Sequence, residues 1–266
     1  MNKIKLFDSH AHYNDHRFED EFEGGAEGAI KAAFEAGVVG FVNVGTEPEN
    51  CRESLEIASK YDNVYAAVGL HPEDAANFDR ADIPRILSEI REMAKNEKVV
   101  AIGEIGLDYH WDTPHDLQKE VFEAQLIMAR ELGLPVVIHN RDAHGDTFEM
   151  LSKYPDVVGV MHSYSGSAEM AREYVKRGWY ISFGGPVSYK TAEKVREACR
   201  AVPLDKLLIE TDCPYLPPVP HRGKINYSGY MVHTLEAMAN ARGEDMEAIA
   251  AATVANTERL FGIKLN

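Results

Sequence analysis

Cysteine and long apolar runs are scarce in this chain of 266 residues, and each scarcity excludes a class of protein. Three scattered cysteines without a Cys-x-x-Cys pair are too few for a disulfide framework. No apolar stretch approaches the roughly 20 residues of a membrane helix, and Asp8 interrupts the first apolar run before a signal-peptide core forms. We therefore expect a reduced, cytoplasmic protein that makes no membrane contact.

Basic residues are also few, because 28 lysines and arginines stand against 43 acidic residues and the formal net charge is −15. This balance argues against a broad basic face for duplex nucleic acid. It does not exclude a phosphate substrate, because bound divalent ions dominate the field within a site. The hydrophobic content of 45% is ample for a large core, and we predict a single domain over residues 1–266.

Short apolar runs alternate with longer helical patterns along the whole chain. The predicted strands are Lys3–Asp8, Gly40–Val44, Val64–Gly69, Val99–Gly103, Pro135–Ile138, Val157–Met161, Trp179–Phe183 and Lys206–Thr211. Nearly continuous apolar strands are typical of a parallel sheet covered on both faces, and eight strands close a (β/α)8 barrel. The predicted fold class is therefore α/β, a (β/α)8 TIM barrel, with an open doubly wound sheet as the alternative.

Five of these strands run into residues that can bind a metal ion. The residues are His10, His12, Glu104, His139, His162 and Asp212. In a (β/α)8 barrel the residues just past the carboxyl ends of the strands share one mouth, so we expect these side chains to meet. Six ligands are too many for one tetrahedral zinc site and suit two divalent ions that share a bridging carboxylate.

Each of these residues alone has a structural alternative. A histidine could be a hydrogen-bonded core residue, Glu104 could form a salt bridge at the barrel rim, and Asp212 could cap the turn that follows it. Their joint placement at one end of five strands favours the metal centre.

Four further residues are predicted to bind substrate. His71 also ends a strand, where the alternative is a rim hydrogen bond. Arg141, Arg222 and Lys224 are cations in loops on the same face and suit a phosphate or carboxylate group. Their alternative is solvation or a salt bridge to the acidic surface.

Six motifs spread over nearly the whole chain carry a family resemblance. They are Asp8-Ser9-His10-Ala11-His12, Val68-Gly69-Leu70-His71-Pro72, Ile102–Tyr109, Ile138–Ala143, His162–Gly166 and Glu210–Leu216. Together with Arg222-Gly223-Lys224-Ile225-Asn226 they resemble the TatD family of metal-dependent deoxyribonucleases. One departure is Ser228, which stands where the family often has proline.

The resemblance implies an amidohydrolase-type barrel with two divalent ions. His10 and His12 then correspond to ligands of the first ion, and His139 and His162 to ligands of the second. Glu104 corresponds to the bridge, and Asp212 to the remaining ligand of the first ion and the proton-handling group. The predicted catalytic residues are accordingly Asp212 and Glu104.

The resemblance also implies the activity, a 3′–5′ exonuclease on single-stranded DNA, with RNA as a further substrate. Two metal ions would activate a hydroxide that cleaves the phosphodiester bond. The alternative keeps the metals and hydrolyses an amide or ester, including D-aminoacyl-tRNA, and a non-catalytic binding barrel is the third hypothesis. Four imidazoles favour Zn, Mn, Ni or Co, whereas nuclease relatives are often described as Mg-dependent. A monomer is compatible with the sequence.

Overall fold

The computed structural model describes residues 4–265, in which eight strands alternate with helices along the chain. The strands are β1 (Leu6–Ala11), β2 (Val38–Val44), β3 (Val64–Val68), β4 (Val99–Asp108), β5 (Val136–Arg141), β6 (Gly159–Met161), β7 (Tyr180–Phe183) and β8 (Leu207–Ile209). Each overlaps a predicted strand, although Lys3 of the first prediction lies outside the described residues.

Ten α-helices are found within the described part of the chain. They are α1 (Arg17–Glu21), α2 (Gly25–Ala36), α3 (Pro48–Ser59), α4 (Ile83–Met93), α5 (His115–Leu132), α6 (His144–Ser152), α7 (Ala168–Lys176), α8 (Glu193–Ala201), α9 (Met231–Arg242) and α10 (Met246–Phe261). The short helix α1 was not predicted, because five residues carry too little periodicity to be recognised. Within residues 4–265 no helix is both long and apolar enough to cross a membrane.

The described residues group into two compact units. The central unit is Asn43–His162, and the terminal unit combines residues 4–42 with residues 163–265. The interpretation of residues 1–266 as one domain stays a prediction.

In the central unit, β3, β4, β5 and β6 pair in parallel and in chain order. The residues of β3, β4 and β6 are buried almost without interruption, as the apolar runs predicted, whereas β5 is buried only over its first three residues. Gly106 of β4 lies opposite His139 of β5, and a Cβ atom at Gly106 would come within 2.0 Å of the His139 carbonyl oxygen. Glycine is therefore required where these two strands approach each other.

In the terminal unit, β7 and β8 are parallel neighbours and β1 lies next to the segment that follows β8. The backbone N–H of Asp212 donates to the His10 carbonyl at 2.9 Å, and that of His12 donates to the Cys213 carbonyl at 2.8 Å. The first strand thus lies beside the chain that leaves the last, as a closed eight-stranded fold requires and an open doubly wound sheet does not. The predicted (β/α)8 class is confirmed.

Three of the six predicted ligands lie inside strands, so their placement just past the strand ends was wrong. His10 is in β1, Glu104 in β4 and His139 in β5. Polar side chains suggested strand ends in the sequence, but the hydrogen bonds of a sheet join backbone groups and continue past them. His12 and His162 do follow directly after their strands.

Candidate functional site

A cluster of two histidines and one carboxylate, here called the terminal cluster, lies in the terminal unit. It consists of His10, His12 and Asp212. Side chains two residues apart along an extended chain share one face, and the Nε2 atoms of His10, in β1, and His12, directly after it, are 3.0 Å apart. Asp212 Oδ1 lies 3.8 Å from the first of these atoms and 3.4 Å from the second. Three electron-pair donors therefore converge on one small volume.

Asp212 has a left-handed backbone conformation, with φ of 57°. Aspartate tolerates this region better than most residues. The Asp212 N–H donates to the His10 carbonyl and the Asp212 carbonyl accepts from the Tyr215 N–H, and these two bonds hold the turn. The Asp212 side chain is 16% exposed, whereas that of His10 is wholly buried. Asp212 is therefore the member of this pair that a substrate can reach.

Asp8 forms a buried network beneath the terminal cluster. Its carboxylate accepts hydrogen bonds from the Thr211 hydroxyl at 2.5 Å, the Ser228 hydroxyl at 2.6 Å and the backbone N–H groups of Thr211 and His10. Burial raises the pKa of Asp8 to about 7, although these hydrogen bonds lower it. The network ties β1 to the chain after β8, and Ser228, at the position where proline is common, supplies one of its donors.

A second cluster, here called the central cluster, surrounds Glu104 in the central unit. Glu104 Oε1 lies 2.7 Å from His139 Nδ1 and 2.7 Å from His162 Nε2, and these two nitrogens are 3.5 Å apart. The Glu104 side chain is only 5% exposed. The carboxylate and the two imidazoles again present their donor atoms to one point.

Asp108 belongs to this arrangement although the sequence analysis gave it no role. Its Oδ2 atom lies 2.9 Å from His139 Nε2, on the opposite side of the ring from Glu104. The pKa of His139 is raised. Burial alone would lower it, but the hydrogen bonds to Asp108 and Glu104 outweigh the effect of burial. A carboxylate in this position orients a ligand imidazole. Glu104 and Asp108 stand four residues apart on β4, which places both on one face, but this relation holds only because β4 extends to Asp108, five residues beyond the predicted end of the strand.

His71 lies beside Glu104 with its side chain 12% exposed, and 3.7 Å separate His71 Nε2 from Glu104 Oε1. Burial, followed by the neighbouring His139, lowers the pKa of His71 to about 3, so its ring is neutral. The backbone N–H of Glu73 donates to His71 Nδ1 at 3.2 Å, which leaves the ring proton on Nε2. In this tautomer His71 suits hydrogen-bond donation better than metal ligation through Nε2, and its contact with substrate stays a prediction.

The three predicted substrate-binding cations lie in exposed positions. Arg141 ends β5 with its guanidinium 5.8 Å from the Trp111 ring centre, and Arg222 lies 4.1 Å over the Tyr189 ring. Lys224 lines a cavity together with Arg222. Within residues 4–265, none of the three forms an ion pair with a carboxylate, so their alternative role in surface salt bridges is not seen.

Both clusters have the donor chemistry of a divalent metal site. Each combines imidazole nitrogens with a carboxylate, and the donor atoms lie within 3.8 Å of one another in the terminal cluster and within 3.5 Å in the central cluster. Imidazoles suit Zn, Mn, Co and Ni, whereas carboxylates also accept Mg. The residues present therefore fit metal ions, and neither cluster contains a thiolate that would restrict the choice to zinc.

Comparison with known proteins gives a consistent result. The sequence profile of the family "TatD related DNase" matches residues 7–262. The chain is 45% identical to the uncharacterized metal-dependent hydrolase YabD of Bacillus subtilis over 97% of this chain and 99% of that protein. It is 38% identical to the 3′-5′ ssDNA/RNA exonuclease TatD of Citrobacter rodentium over 89% of this chain and 91% of that protein.

A solved structure shows the same likeness. The TatD homologue YJJV of Escherichia coli K12 superposes with a TM-score of 0.90 at 31% identity and covers 99% of this chain and all of its own. A phosphotriesterase homology protein of Escherichia coli, at 15% identity and a TM-score of 0.67, shares the fold.

Proposed function

This chain belongs to the TatD related DNase family of metal-dependent hydrolases, and we propose that it is a nuclease that removes nucleotides from the 3′ end of single-stranded DNA, with RNA as a further substrate. The observation that carries the proposal is the pair of histidine–carboxylate clusters, because their donor sets suit divalent ions. Relatives named as 3′-5′ ssDNA/RNA exonucleases support the choice of substrate.

We propose one divalent ion at each cluster. His10, His12 and Asp212 would hold the first, and Glu104, His139 and His162 the second. Divalent ions in such sites lower the pKa of bound water and polarise phosphoryl oxygens. Glu104 as a bridge between two ions is implied by the family resemblance and stays a prediction.

The side chains themselves have separate tasks in this proposal. The Asp212 carboxylate accepts the proton of the attacking water, because it is the partly exposed acid of its cluster. His71 donates a hydrogen bond from its Nε2–H to a non-bridging phosphoryl oxygen and keeps the proton, and Arg141 offsets charge on the same group. Asp108 keeps the His139 ring in one orientation.

The experiment that tests this function compares substrates and metals. We expect the metal-free protein, prepared with a chelator, to be inactive on single-stranded DNA and to recover when Zn²⁺, Mn²⁺, Co²⁺, Ni²⁺ or Mg²⁺ is added back. Products sampled over time on a 5′-labelled strand should shorten stepwise from the 3′ end. Turnover of amide or ester substrates without cleavage of DNA would replace the proposal with the amide and ester alternative.

Asp108→Asn tests the orienting role of this carboxylate. The substitution keeps the shape of the side chain but removes the charge that holds the protonated edge of His139. We expect metal affinity to fall about 10- to 100-fold, which is the usual loss when a residue that hydrogen-bonds to a metal ligand is removed. The melting temperature should change little. Competition with a chromogenic chelator measures the affinity. Asp146→Asn is the control, because Asp146 bonds Tyr109 rather than a cluster histidine, and equal affinities in both variants would contradict the role.

A further inference from the structure

A cavity of about 750 Å³ lies in the terminal unit, lined in part by Arg17, Tyr189, Leu216, Arg222 and Lys224. Its volume falls within the range of about 300–1,000 Å³ typical of ligand sites. Three cations line it against one carboxylate, that of Glu21. The cavity is therefore locally basic in a chain whose net charge is −15.

Two of these arginines are stacked on tyrosines. The Arg17 guanidinium lies 4.1 Å from the centre of the Tyr215 ring, and the Arg222 guanidinium lies 4.1 Å from that of Tyr189. Arg17 is already paired with Asp15 through two hydrogen bonds of 2.8 and 2.6 Å, so it serves mainly to hold the Tyr215 ring. Arg222 has no such carboxylate among the described residues and can bind an anion.

The Tyr215 ring contacts both Arg17, which lines the cavity, and His12 of the terminal cluster. Its ring meets His12 edge to face, with 6.2 Å between the ring centres, and it is 44% exposed. Asn226, which is wholly buried, donates its amide to the carbonyl oxygens of Tyr215 and Thr211 at 2.8 and 3.0 Å. The backbone that carries the exposed ring is therefore held by a buried side chain, and Arg17 rests on the ring itself, which suits a stacking surface.

The Tyr189 ring is fixed in the same way. Its hydroxyl donates to the Pro217 carbonyl at 3.0 Å, and the guanidinium of Arg222 rests on the ring face. Arg222 is thereby held at the cavity, which Lys224 also lines.

We propose that Tyr215 and this cavity form a binding site for a single strand of nucleic acid next to the terminal cluster. Tyr215 stacks a base, and Arg222 and Lys224 bind the phosphates that follow it along the strand. Base–aromatic stacking with backbone cations is the general mode of single-strand recognition. Stacking on a tyrosine needs a base whose face is not covered by a neighbouring base, so the site favours a single strand over a duplex. The inference rests on the proposed function, because it names the residues that hold the same substrate.

The test measures binding of a short fluorescein-labelled oligothymidylate by fluorescence anisotropy. Phosphorothioate linkages at its 3′ end slow cleavage by the metal-loaded protein. We expect Tyr215→Ala to weaken binding about 5- to 100-fold, as the loss of one stacked base does, and Tyr215→Phe to retain affinity. On a strand with abasic sites in place of bases, Tyr215→Ala should match the wild type within about twofold.

Arg222→Ala provides a second and independent measurement. Loss of one phosphate contact should reduce the slope of log affinity against log salt by about 0.7, both on the normal strand and on the abasic strand.

Tyr154→Ala is the matched control for Tyr215→Ala. Tyr154 also lies beneath an arginine, Arg130 at 5.6 Å, but borders neither the cavity nor a cluster. It should bind as the wild type does.

The outcomes separate this site from the proposed function. The binding site would be overturned, even if DNA is cleaved, if Tyr215→Ala lost the same affinity on normal and abasic strands. An unchanged slope of log affinity against log salt in Arg222→Ala would overturn it as well. Binding that follows the expected pattern without cleavage under any metal would support the site and reject the nuclease.

Discussion

Asp212→Asn is expected to abolish hydrolysis of single-stranded DNA, with kcat reduced by at least about a thousandfold. The substitution removes both a negative ligand and the acceptor of the proton from attacking water. Asparagine also tolerates a positive φ, so the backbone at this position can keep its angle of 57°. The loss should therefore be chemical rather than structural. Single-turnover cleavage of a 5′-labelled strand measures it.

Asp142→Asn is the matched control for this variant. Asp142 also has a positive φ, 56°, but it belongs to neither cluster. Its variant should cleave DNA at close to the wild-type rate. Substantial turnover by Asp212→Asn, or an equal loss in both variants, would remove Asp212 from the mechanism.

Glu104→Gln should lower both metal content and activity. Two histidine nitrogens lie 2.7 Å from Glu104 Oε1 in a nearly dry environment, and the amide offers them neither the charge nor two equivalent oxygens. Loss of a residue that only hydrogen-bonds to a metal ligand lowers metal affinity about 10- to 100-fold. Loss of a ligand itself should therefore lower the affinity by more. Mass spectrometry of the dialysed protein measures the bound metal, and the cleavage assay measures the activity.

The control for Glu104→Gln is Glu123→Gln, a carboxylate on α5 that accepts a hydrogen bond from Tyr154 at 2.7 Å. Both metal-free variants should melt within about 4 °C of the wild type, the shift that roughly 1 kcal/mol produces in a chain of this size. Retention of the full metal content by Glu104→Gln would exclude Glu104 as a ligand.

The fold class and the six candidate ligands could be predicted from the sequence because both depend on local pattern. Strands covered on both faces must be apolar throughout, and the spacing of His10 and His12 places both rings on one face of a strand. The likeness to YJJV bears out the fold class over 99% of the chain. The roles of the individual ligands stay predictions.

Asp108 shows what this reasoning could not find. Ending the fourth strand at Gly103 placed Asp108 in a loop, whereas β4 continues to Asp108 and directs this carboxylate at His139. Hydrogen bonds to β5 decide where β4 ends, and these depend on residues more than 30 positions further along the chain. No local pattern contains that information.

Tyr215 and the Asp8 network show the same division. The sequence by itself determined which residue types are available. It contains apolar strands that alternate with helices, histidines and carboxylates near the ends of those strands, and cations in the later loops. Only the tertiary structure decided that Tyr215 meets His12, that Arg17 covers one face of this tyrosine, and that Asp8 receives donors from Thr211 and Ser228. Such contacts join residues about 200 positions apart, and they arise because the last strand returns the chain beside the first.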